Sequence, residues 1–256
     1  MNEREYREMF TLEDTYWWFV GRRAIIRRLL RQLPGGGEHR RVLDLGCGTG
    51  ANALMFTEFG SVIGLDVGSE ALRLAATRPS AAWLTEGVAT RLPFRSQTFD
   101  LVACLDVLEH VADDLGALRE TRRVLKQNGR LVMTVPAFSW LWSEHDEALG
   151  HFRRYSHGEL LRVLRSAGLL PELTNYAICL PLIPAVILRL MQNLVRRPDR
   201  QAQTKHLLLP STLNRLLIRY LEFEGRLVHR HRLPFGVSLV ALARPAEQLD
   251  TTPPIP

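Results

Sequence analysis

The segment with the most specific chemistry is a glycine turn between a short apolar strand and a helix. It places Gly46, Gly48 and Gly50 directly after Asp44. Glycines in such a turn let the backbone approach a ligand that side chains would keep away. A nicotinamide fingerprint reads G-x-G-x-x-G, whereas the third glycine here comes one residue early. With an acid before the turn, this spacing favours a ligand whose cationic amino acid part meets a carboxylate, rather than a pyrophosphate on a helix N-terminus.

A second acid ends the next predicted strand. Asp66 lies 22 residues after Asp44, at the place where other doubly wound folds put a carboxylate that accepts both hydroxyls of a ribose. Taken alone, an acid at a strand end is as often a helix cap or a solvated loop residue. The two acids and the glycine turn together predict a site for a nucleoside that carries an amino acid group.

Histidines follow two of the predicted strands, at the edge where doubly wound folds bind their ligands. His110 comes after the fourth strand, and His145 and His151 come after the fifth. Histidine is the side chain best suited to accept a proton near neutral pH, so these three residues are the candidate catalytic groups. The alternative for His110 is a histidine at a helix start that bonds to the backbone.

Two arginines and a tyrosine follow the last of these histidines. Arg153 and Arg154 could hold an anionic acceptor bidentately, and with Tyr155 they are assigned to substrate binding. One alternative is a solvated charged loop. The other alternative is a metal site formed by His145, Asp146 and His151. Because that spacing matches no zinc pattern, no metal site is assigned.

An aromatic patch lies near the start of the chain, at residues 16–19. It could be a lid that closes over the pocket and excludes water, with Trp17 and Trp18 against the substrate. The alternative is an arm that simply packs on the core.

Strands and helices alternate from residue 41, which predicts an α/β fold. The predicted strands are Arg41–Leu45, Val62–Asp66, Ala82–Thr85, Phe99–Leu105, Leu131–Val135 and a final pair, Glu172–Ile178 with Gly236–Ala243. The predicted helices are Ala51–Phe59, Ser69–Ala76 (capped by Ser69), Asp114–Gln127, one from a Ser156/Glu159 capping box to near Gly168, Ala185–Val195 and Thr212–Val228. This order predicts a doubly wound, mostly parallel seven-stranded Rossmann-like sheet with an antiparallel C-terminal hairpin.

The positive charge is concentrated in one part of the chain. The 256 residues carry a net charge of +6, yet the segment 179–235 has ten Lys and Arg against three acids, so the rest is close to neutral. An amphipathic basic helix is typical of membrane-surface or partner-binding segments. A cap with a solvated basic face is the alternative, and nucleic acid is a disfavoured one.

The composition indicates one globular domain with additions. We expect an N-terminal helical arm or lid at 1–37, a core at 40–178, a basic helical insertion at 179–235, a last strand at 236–244 and a disordered tail at 245–256. Three cysteines, no apolar signal segment and no apolar run of membrane-spanning length predict a cytoplasmic location, with membrane association through the insertion as a further expectation.

Further motifs make the chain resemble the class I S-adenosylmethionine-dependent methyltransferases. The resemblance covers about residues 41–135 and is strongest to the small-molecule, "type 11" branch. It rests on the glycine turn and on three later pieces: 92–94 (LPF), 96–102 (SQTFDLV) and 106–111 (DVLEHV). It implies S-adenosylmethionine as cofactor, with Asp66 on the ribose and the residues after the fourth strand at the methionine end. The implied cofactor-binding residues are Asp44, Gly46, Cys47, Gly48, Gly50, Asp66, Val67, Val88, Ala89, Leu105 and Asp106.

The chain departs from the family at one position near the adenine. Family members usually have Gly-Asp-Ala, with the Asp accepting from the adenine amine, where this chain has Gly87-Val88-Ala89. Valine cannot accept a hydrogen bond. Since the Ala89 N–H could still meet the ring, we expect weaker or reshaped adenine binding.

The resemblance implies methyl transfer by in-line displacement to a small-molecule or lipid-linked acceptor. A non-catalytic S-adenosylmethionine-binding partner module is one alternative. A nicotinamide-dependent oxidoreductase is the other, and the glycine spacing disfavours it.

Overall fold

Seven strands form one sheet in the structure, a computed structural model that describes residues 3–33, 40–80, 82–180, 186 and 209–246. The strands are β1 (Arg41–Leu45), β2 (Ser61–Asp66), β3 (Trp83–Glu86), β4 (Phe99–Leu105), β5 (Leu125–Pro136), β6 (Leu169–Ala177) and β7 (Ser238–Pro245). Their order across the sheet is β3-β2-β1-β4-β5-β7-β6. Strands β1 to β5 are parallel, and β7 runs antiparallel between β5 and β6. The predicted fold class is confirmed.

Eight α-helices belong to the described part of the chain and cover the sheet. They are α1 (Glu3–Leu12), α2 (Trp17–Leu30), α3 (Ala51–Phe56), α4 (Ser69–Ala76), α5 (Asp114–Val124), α6 (Glu144–Leu149), α7 (His157–Ser166) and α8 (Ser211–Arg230). Successive strands are added to one side of β1 up to β3 and to its other side from β4 onward, so the topological switch point lies between β1 and β4. Such a sheet binds ligands in the crevice outside the carboxyl ends of these two strands. None of the described helices combines the length and apolarity that a membrane crossing needs.

The boundary between α5 and β5 differs from the sequence prediction. Helix α5 stops at Val124, three residues before its predicted end, and β5 begins at once at the buried Leu125. Leu125 pairs with the buried Phe99 of β4, and this pairing extends β5 towards its N-terminus across a register shift. Residues 128–129 therefore lie within β5 and do not end a helix. Here burial of an apolar residue in the sheet overrides the local helical pattern.

The start of α4 also differs from the prediction. Its N-cap is Gly68, in extended conformation, and not Ser69. The Gly68 N–H donates to the carboxylate of Asp66 over 2.8 Å, so the acid at the end of β2 stabilises the turn. By contrast, the predicted capping box of Ser156 and Glu159 at the start of α7 is confirmed.

The N-terminal arm is part of the core. Helix α2 packs on α8 so closely that a Cβ atom built at Gly21 would lie 2.2 Å from a methyl carbon of Leu221. Trp17 is buried, its backbone N–H donates to the Asn214 side chain over 2.9 Å, and Trp18 is half-buried against the same apolar cluster. The alternative of an arm packed on the core is therefore the one the structure supports. Contact of Trp17 and Trp18 with a substrate stays a prediction.

Several predicted segments lie outside the described residues. They include the glycine linker at 34–37, the helix Ala185–Val195 apart from Val186, and the tail from 247 onward. Pro245, predicted to begin the tail, is the last residue of β7, where it pairs with Leu169.

Candidate cofactor and acceptor site

The glycine turn after β1 has the backbone conformation that its composition predicts. Gly46, Gly48 and Gly50 have φ angles of +71°, +53° and +83°, in the left-handed region that favours glycine. A Cβ atom at Gly46 would lie 2.3 Å from a methyl carbon of Val107, in the loop after β4. The turn therefore needs glycine for its shape and for its close approach to the neighbouring loop.

Asp66 connects the loops that follow β1 and β2. It is buried, and its carboxylate accepts the Gly48 N–H and the Gly68 N–H, each over 2.8 Å. Two backbone donors fix the carboxylate at the carboxyl edge of the sheet, beside the glycine turn. Asp66 thus positions the turn and also presents an acid at the predicted ribose position.

Asp44 is a buried acid with an orphaned oxygen. Its exposed fraction is 1%, and Oδ2 has no hydrogen-bond partner among the described residues. Burial, with repulsion from Asp66 and Glu13, raises the pKa of this carboxyl to about 8, although Arg22 opposes the shift. An unpartnered buried carboxylate is costly, and a cationic group would relieve the cost. The residues present therefore fit the amino acid end of S-adenosylmethionine.

The raised pKa predicts that cofactor affinity depends on pH. The folded pKa of Asp44 lies above its ordinary value of 3.8, so ionising this carboxyl costs stability increasingly as pH rises from about 4 to about 8. An ammonium ligand needs the ionised form, so binding below about pH 8 must release a proton. We expect S-adenosylmethionine affinity to rise by up to about tenfold per pH unit between about pH 6 and pH 8. Calorimetry in buffers of different ionisation enthalpy measures the released proton. A pH-independent Kd, or an unchanged slope in Asp44→Asn, would contradict this role.

Helix α1 lies across the glycine turn. The Tyr6 hydroxyl lies 2.6 Å from the Cβ position of Gly68, and the Met9 methyl lies 3.0 Å from that of Gly48. Burial and the nearby Asp66 raise the pKa of Tyr6 to about 12. The buried Glu13, just after α1, accepts from the Thr49 hydroxyl of the turn. No local pattern in the sequence singles out these residues, because nothing in the polar pattern of α1 indicates which loop it covers.

The remaining predicted cofactor residues lie around this crevice. Cys47 is buried, and its Sγ lies 3.0 Å from the Cβ position of Gly64 on β2, so it is a small residue that packs behind the turn. Val67 and Val88 are exposed, Ala89 is half-buried, and Leu105 ends β4 and is buried. Contact of these residues with a cofactor stays a prediction.

Asp106 and Arg22 join the arm to the end of β4. Asp106 has a positive φ of 55°, and its carboxylate accepts the Thr134 hydroxyl over 2.7 Å and pairs with the Arg22 guanidinium. Arg22 is buried, at the second turn of α2. The pair places a fixed cation and anion beside the crevice. No local pattern in the sequence predicts it, because 84 residues separate the partners.

Two of the three candidate catalytic histidines lie together. The ring centroids of His110 and His151 are 4.6 Å apart, and the rings are nearly perpendicular. Burial, with repulsion from His151, lowers the pKa of His110 to about 4. His110 is therefore neutral near pH 7 and offers a lone pair. His145 lies in α6, but its side chain is outside the part that the structure describes.

Asp146 organises the segment that carries His151. Asp146 is fully buried. Its carboxylate accepts hydrogen bonds from the Arg154 guanidinium over 2.7 and 3.1 Å and from the Ser143 N–H over 2.9 Å. The same carboxylate lies 2.9 Å from Nδ1 of His151. Burial favours the neutral acid, but the hydrogen bonds from His151 and Arg154 outweigh it and lower the pKa of Asp146. Arg154, proposed to hold an acceptor, is instead an internal partner of Asp146. The metal set with Asp146 as ligand is likewise wrong, because its oxygens are already taken.

Arg153 and Tyr155 share another acid. The Arg153 guanidinium pairs with the Asp114 carboxylate at 2.7 Å, and the Tyr155 hydroxyl donates to the same carboxylate over 2.9 Å. Arg153 also donates to the Ala112 carbonyl, and Tyr155 is buried. These side chains hold the loop against the start of α5, and their contact with a substrate stays a prediction.

Part of the chain matches known methyltransferases. Residues 43–133 match the family model of the methyltransferase domain. The chain is 36% identical over 102 residues to the uncharacterized methyltransferase YcgJ of Bacillus subtilis, covering 38% of this chain and 40% of that protein. It is 45% identical over 105 residues to a demethylmenaquinone methyltransferase of Lactiplantibacillus plantarum (37% and 44%), and 28% identical over 144 residues to a ubiquinone biosynthesis O-methyltransferase of Yersinia enterocolitica (51% and 60%).

Solved structures share the fold. The crystal structure of YcgJ has a TM-score of 0.57 at 20% identity, covering 86% of this chain and 97% of that one. A methyltransferase of Thermotoga maritima has a TM-score of 0.59 at 15% identity, covering 94% and 95%. The chain spans only 40% to 60% of the length of the curated relatives named above. The sheet order and the glycine turn agree with the family match: residues 43–133 match a methyltransferase domain, and they lie in a sheet of the Rossmann-like methyltransferase fold.

Proposed function

We propose that the protein transfers a methyl group from S-adenosylmethionine to a small-molecule acceptor. The observation that carries the proposal is the buried, unpartnered oxygen of Asp44 beside the left-handed glycine turn. The ammonium group of the cofactor's amino acid part would pair with that oxygen, and the Asp66 carboxylate would accept the hydroxyls of the attached ribose. The matched relatives named for ubiquinone biosynthesis and for demethylmenaquinone support a small-molecule acceptor.

The residues of this chain bind, align and enclose the reactants. When bound, S-adenosylmethionine supplies an electrophilic methyl group on a sulfonium. Asp44 and the glycine turn would hold its amino acid end, and α1 would cover it and exclude water. If the acceptor must lose a proton, as a hydroxyl must, the neutral His110 or its neighbour His151 would accept it in the absence of a bound metal ion.

A cheap experiment separates this function from its alternatives. S-adenosylmethionine and S-adenosylhomocysteine should raise the melting temperature of the full chain, whereas NADH should not. Stabilisation by NADH alone would indicate an oxidoreductase. Stabilisation by the sulfonium nucleoside without turnover of phenolic, catecholic and lipid-linked acceptors would favour a non-catalytic binding module.

The surface of α8 suggests that the acceptor is linked to a lipid. Leu216 and Phe223 on this helix are 62% and 52% exposed, and Leu213 is exposed on the same side. Exposed arginines run beside this apolar stripe, at Arg215, Arg219 and Arg226. Apolar side chains flanked by a row of cations complement an anionic lipid surface. A lipid-linked acceptor presented at such a surface is therefore part of the proposal.

Vesicle binding tests the role of α8. Replacing Leu216 and Phe223 by aspartate should weaken co-sedimentation with phosphatidylglycerol-containing vesicles by about tenfold or more, because apolar contact is lost and negative charge is added. Leu54→Asp, at an exposed leucine on α3, is the matched control and should bind normally. Equal binding of both variants, or no binding of the unmodified chain, would count against the lipid surface.

A further inference from the structure

Three potential metal ligands converge beside the candidate acceptor site. Glu109 and His110 lie in the turn after β4, and His151 lies in the loop after α6. One ligand atom of each residue lies within 4.8 Å of the others. The Phe152 N–H donates to the Glu109 carbonyl over 2.7 Å, which joins the two segments. The cluster therefore does not depend on one flexible loop.

Glu109 is the observation that points to a ligand. Its exposed fraction is 1%, and Oε2 has no hydrogen-bond partner among the described residues. A buried carboxylate without a partner is costly, and a bound cation is one of the few groups that would repay the cost.

Both histidines are already held in place. Nδ1 of His151 lies 2.9 Å from the Asp146 carboxylate, which leaves Nε2 for a ligand. His110 is hydrogen-bonded to the Leu149 backbone. A carboxylate behind a histidine is the usual outer partner in metal sites, where it orients the ring and makes it a better donor. Asp146 is a positioning residue in this arrangement.

We propose that Glu109, His110 and His151 bind a divalent transition-metal ion of the zinc class. Two imidazoles and a carboxylate suit zinc, cobalt, nickel or iron(II), whereas magnesium and calcium prefer oxygen ligands. Three protein ligands leave a coordination position open, as in catalytic zinc sites. This set differs from the sequence-based set, because Asp146 acts behind His151 and not on the ion.

The site's role in the reaction rests on the proposed function. An acceptor hydroxyl at the open position would lose its proton more readily. With the ion bound, His110 and His151 are its ligands, so the proton passes to solvent and not to a histidine. The acceptor oxygen forms a bond to the methyl carbon, and the carbon–sulfur bond breaks with its electron pair left on sulfur. The products are a methyl ether and S-adenosylhomocysteine.

Metal titration of the untagged full chain tests the site. After treatment with a chelator, we expect one equivalent of Co²⁺ to bind with visible absorption bands and to be displaced by Zn²⁺. Glu109→Gln and His151→Ala should each lower Co²⁺ affinity at least about tenfold. His157→Ala is the matched control, since His157 is a half-buried histidine at the start of α7 outside the cluster. Circular dichroism verifies that the variants are folded.

The outcomes separate the site from the proposed function. Absence of stoichiometric Co²⁺ and Zn²⁺ binding, or equal binding by the wild type and both cluster variants, would overturn the metal site. Melting shifts with S-adenosylmethionine on the same samples test the cofactor independently. A sample that binds the nucleoside but no metal refutes only the site, and one that binds metal but no nucleoside refutes only the methyltransferase proposal.

Discussion

Asp66→Ala is expected to lower the affinity for S-adenosylmethionine by roughly hundredfold or more. The ribose hydroxyls would lose the carboxylate that accepts their hydrogen bonds, and hydrogen bonds to a charged partner contribute about 1.5–3 kcal/mol each. It also accepts the Gly48 and Gly68 N–H groups, so its removal would loosen the turn that follows β1. Calorimetric titration of the purified chain measures the effect on Kd, and thermal melting measures the accompanying loss of stability.

The register of the sheet provides the control for this variant. Glu86 is paired with Asp66 on the adjacent strand β3, and it is exposed. Glu86→Ala should bind the cofactor as the wild type does. Asp66→Asn keeps one acceptor oxygen, so its loss should be intermediate. If Asp66→Ala bound within about threefold of the wild type, the ribose role of this acid would be refuted.

Asp146→Ala is expected to cost about 3–5 kcal/mol of the free energy of unfolding. Asp146 is fully buried and accepts from Arg154 and from Ser143, with His151 alongside. Its removal leaves the buried Arg154 guanidinium without its anion, which is more costly than the loss of the bonds themselves. Chemical denaturation measures the change, and the melting temperature should fall by roughly 6 to 20 °C.

Two further variants identify the cause of that loss. Glu144→Ala removes an exposed acid from the same short helix, α6, and should change stability by less than about 0.5 kcal/mol. The double variant Asp146→Ala/Arg154→Leu should recover part of the loss, because no buried cation then lacks a partner. A single-variant loss below about 1 kcal/mol, or no recovery in the double variant, would show that the ion pair is not what stabilises this loop.

Local signals predicted the sheet well. Strands β1 and β4 have the predicted bounds, because each is a short apolar run limited by polar or glycine residues. The capping box of α7 was predicted because its two hydrogen bonds join residues three apart. The α5–β5 boundary was missed because residues 125–127 follow a helical pattern locally, whereas pairing with β4 makes them strand.

The sequence predicted where the backbone features of the site lie, but not which partners its long side chains have. The glycine turn, Asp44 and Asp66 were predicted correctly in position, since their spacing along two adjacent parallel strands determines where they lie. Arg153, Arg154 and Tyr155 were assigned to an acceptor, but they pair with Asp114 and Asp146. Charged side chains that converge on a loop look alike in sequence whether they bind a ligand or one another.

The amino-acid sequence by itself determined the alternation of elements, the left-handed turn and the acids at the two strand ends, because these depend on local backbone preferences and on period-two or helical burial patterns. Only the tertiary structure decided which side chains meet. It placed α1 over the turn, Trp17 inside the core, Arg22 on Asp106 and His151 beside Glu109 and His110. The physical reason is that such pairings are set by burial and charge compensation between segments far apart in the chain, and no local pattern encodes the partner.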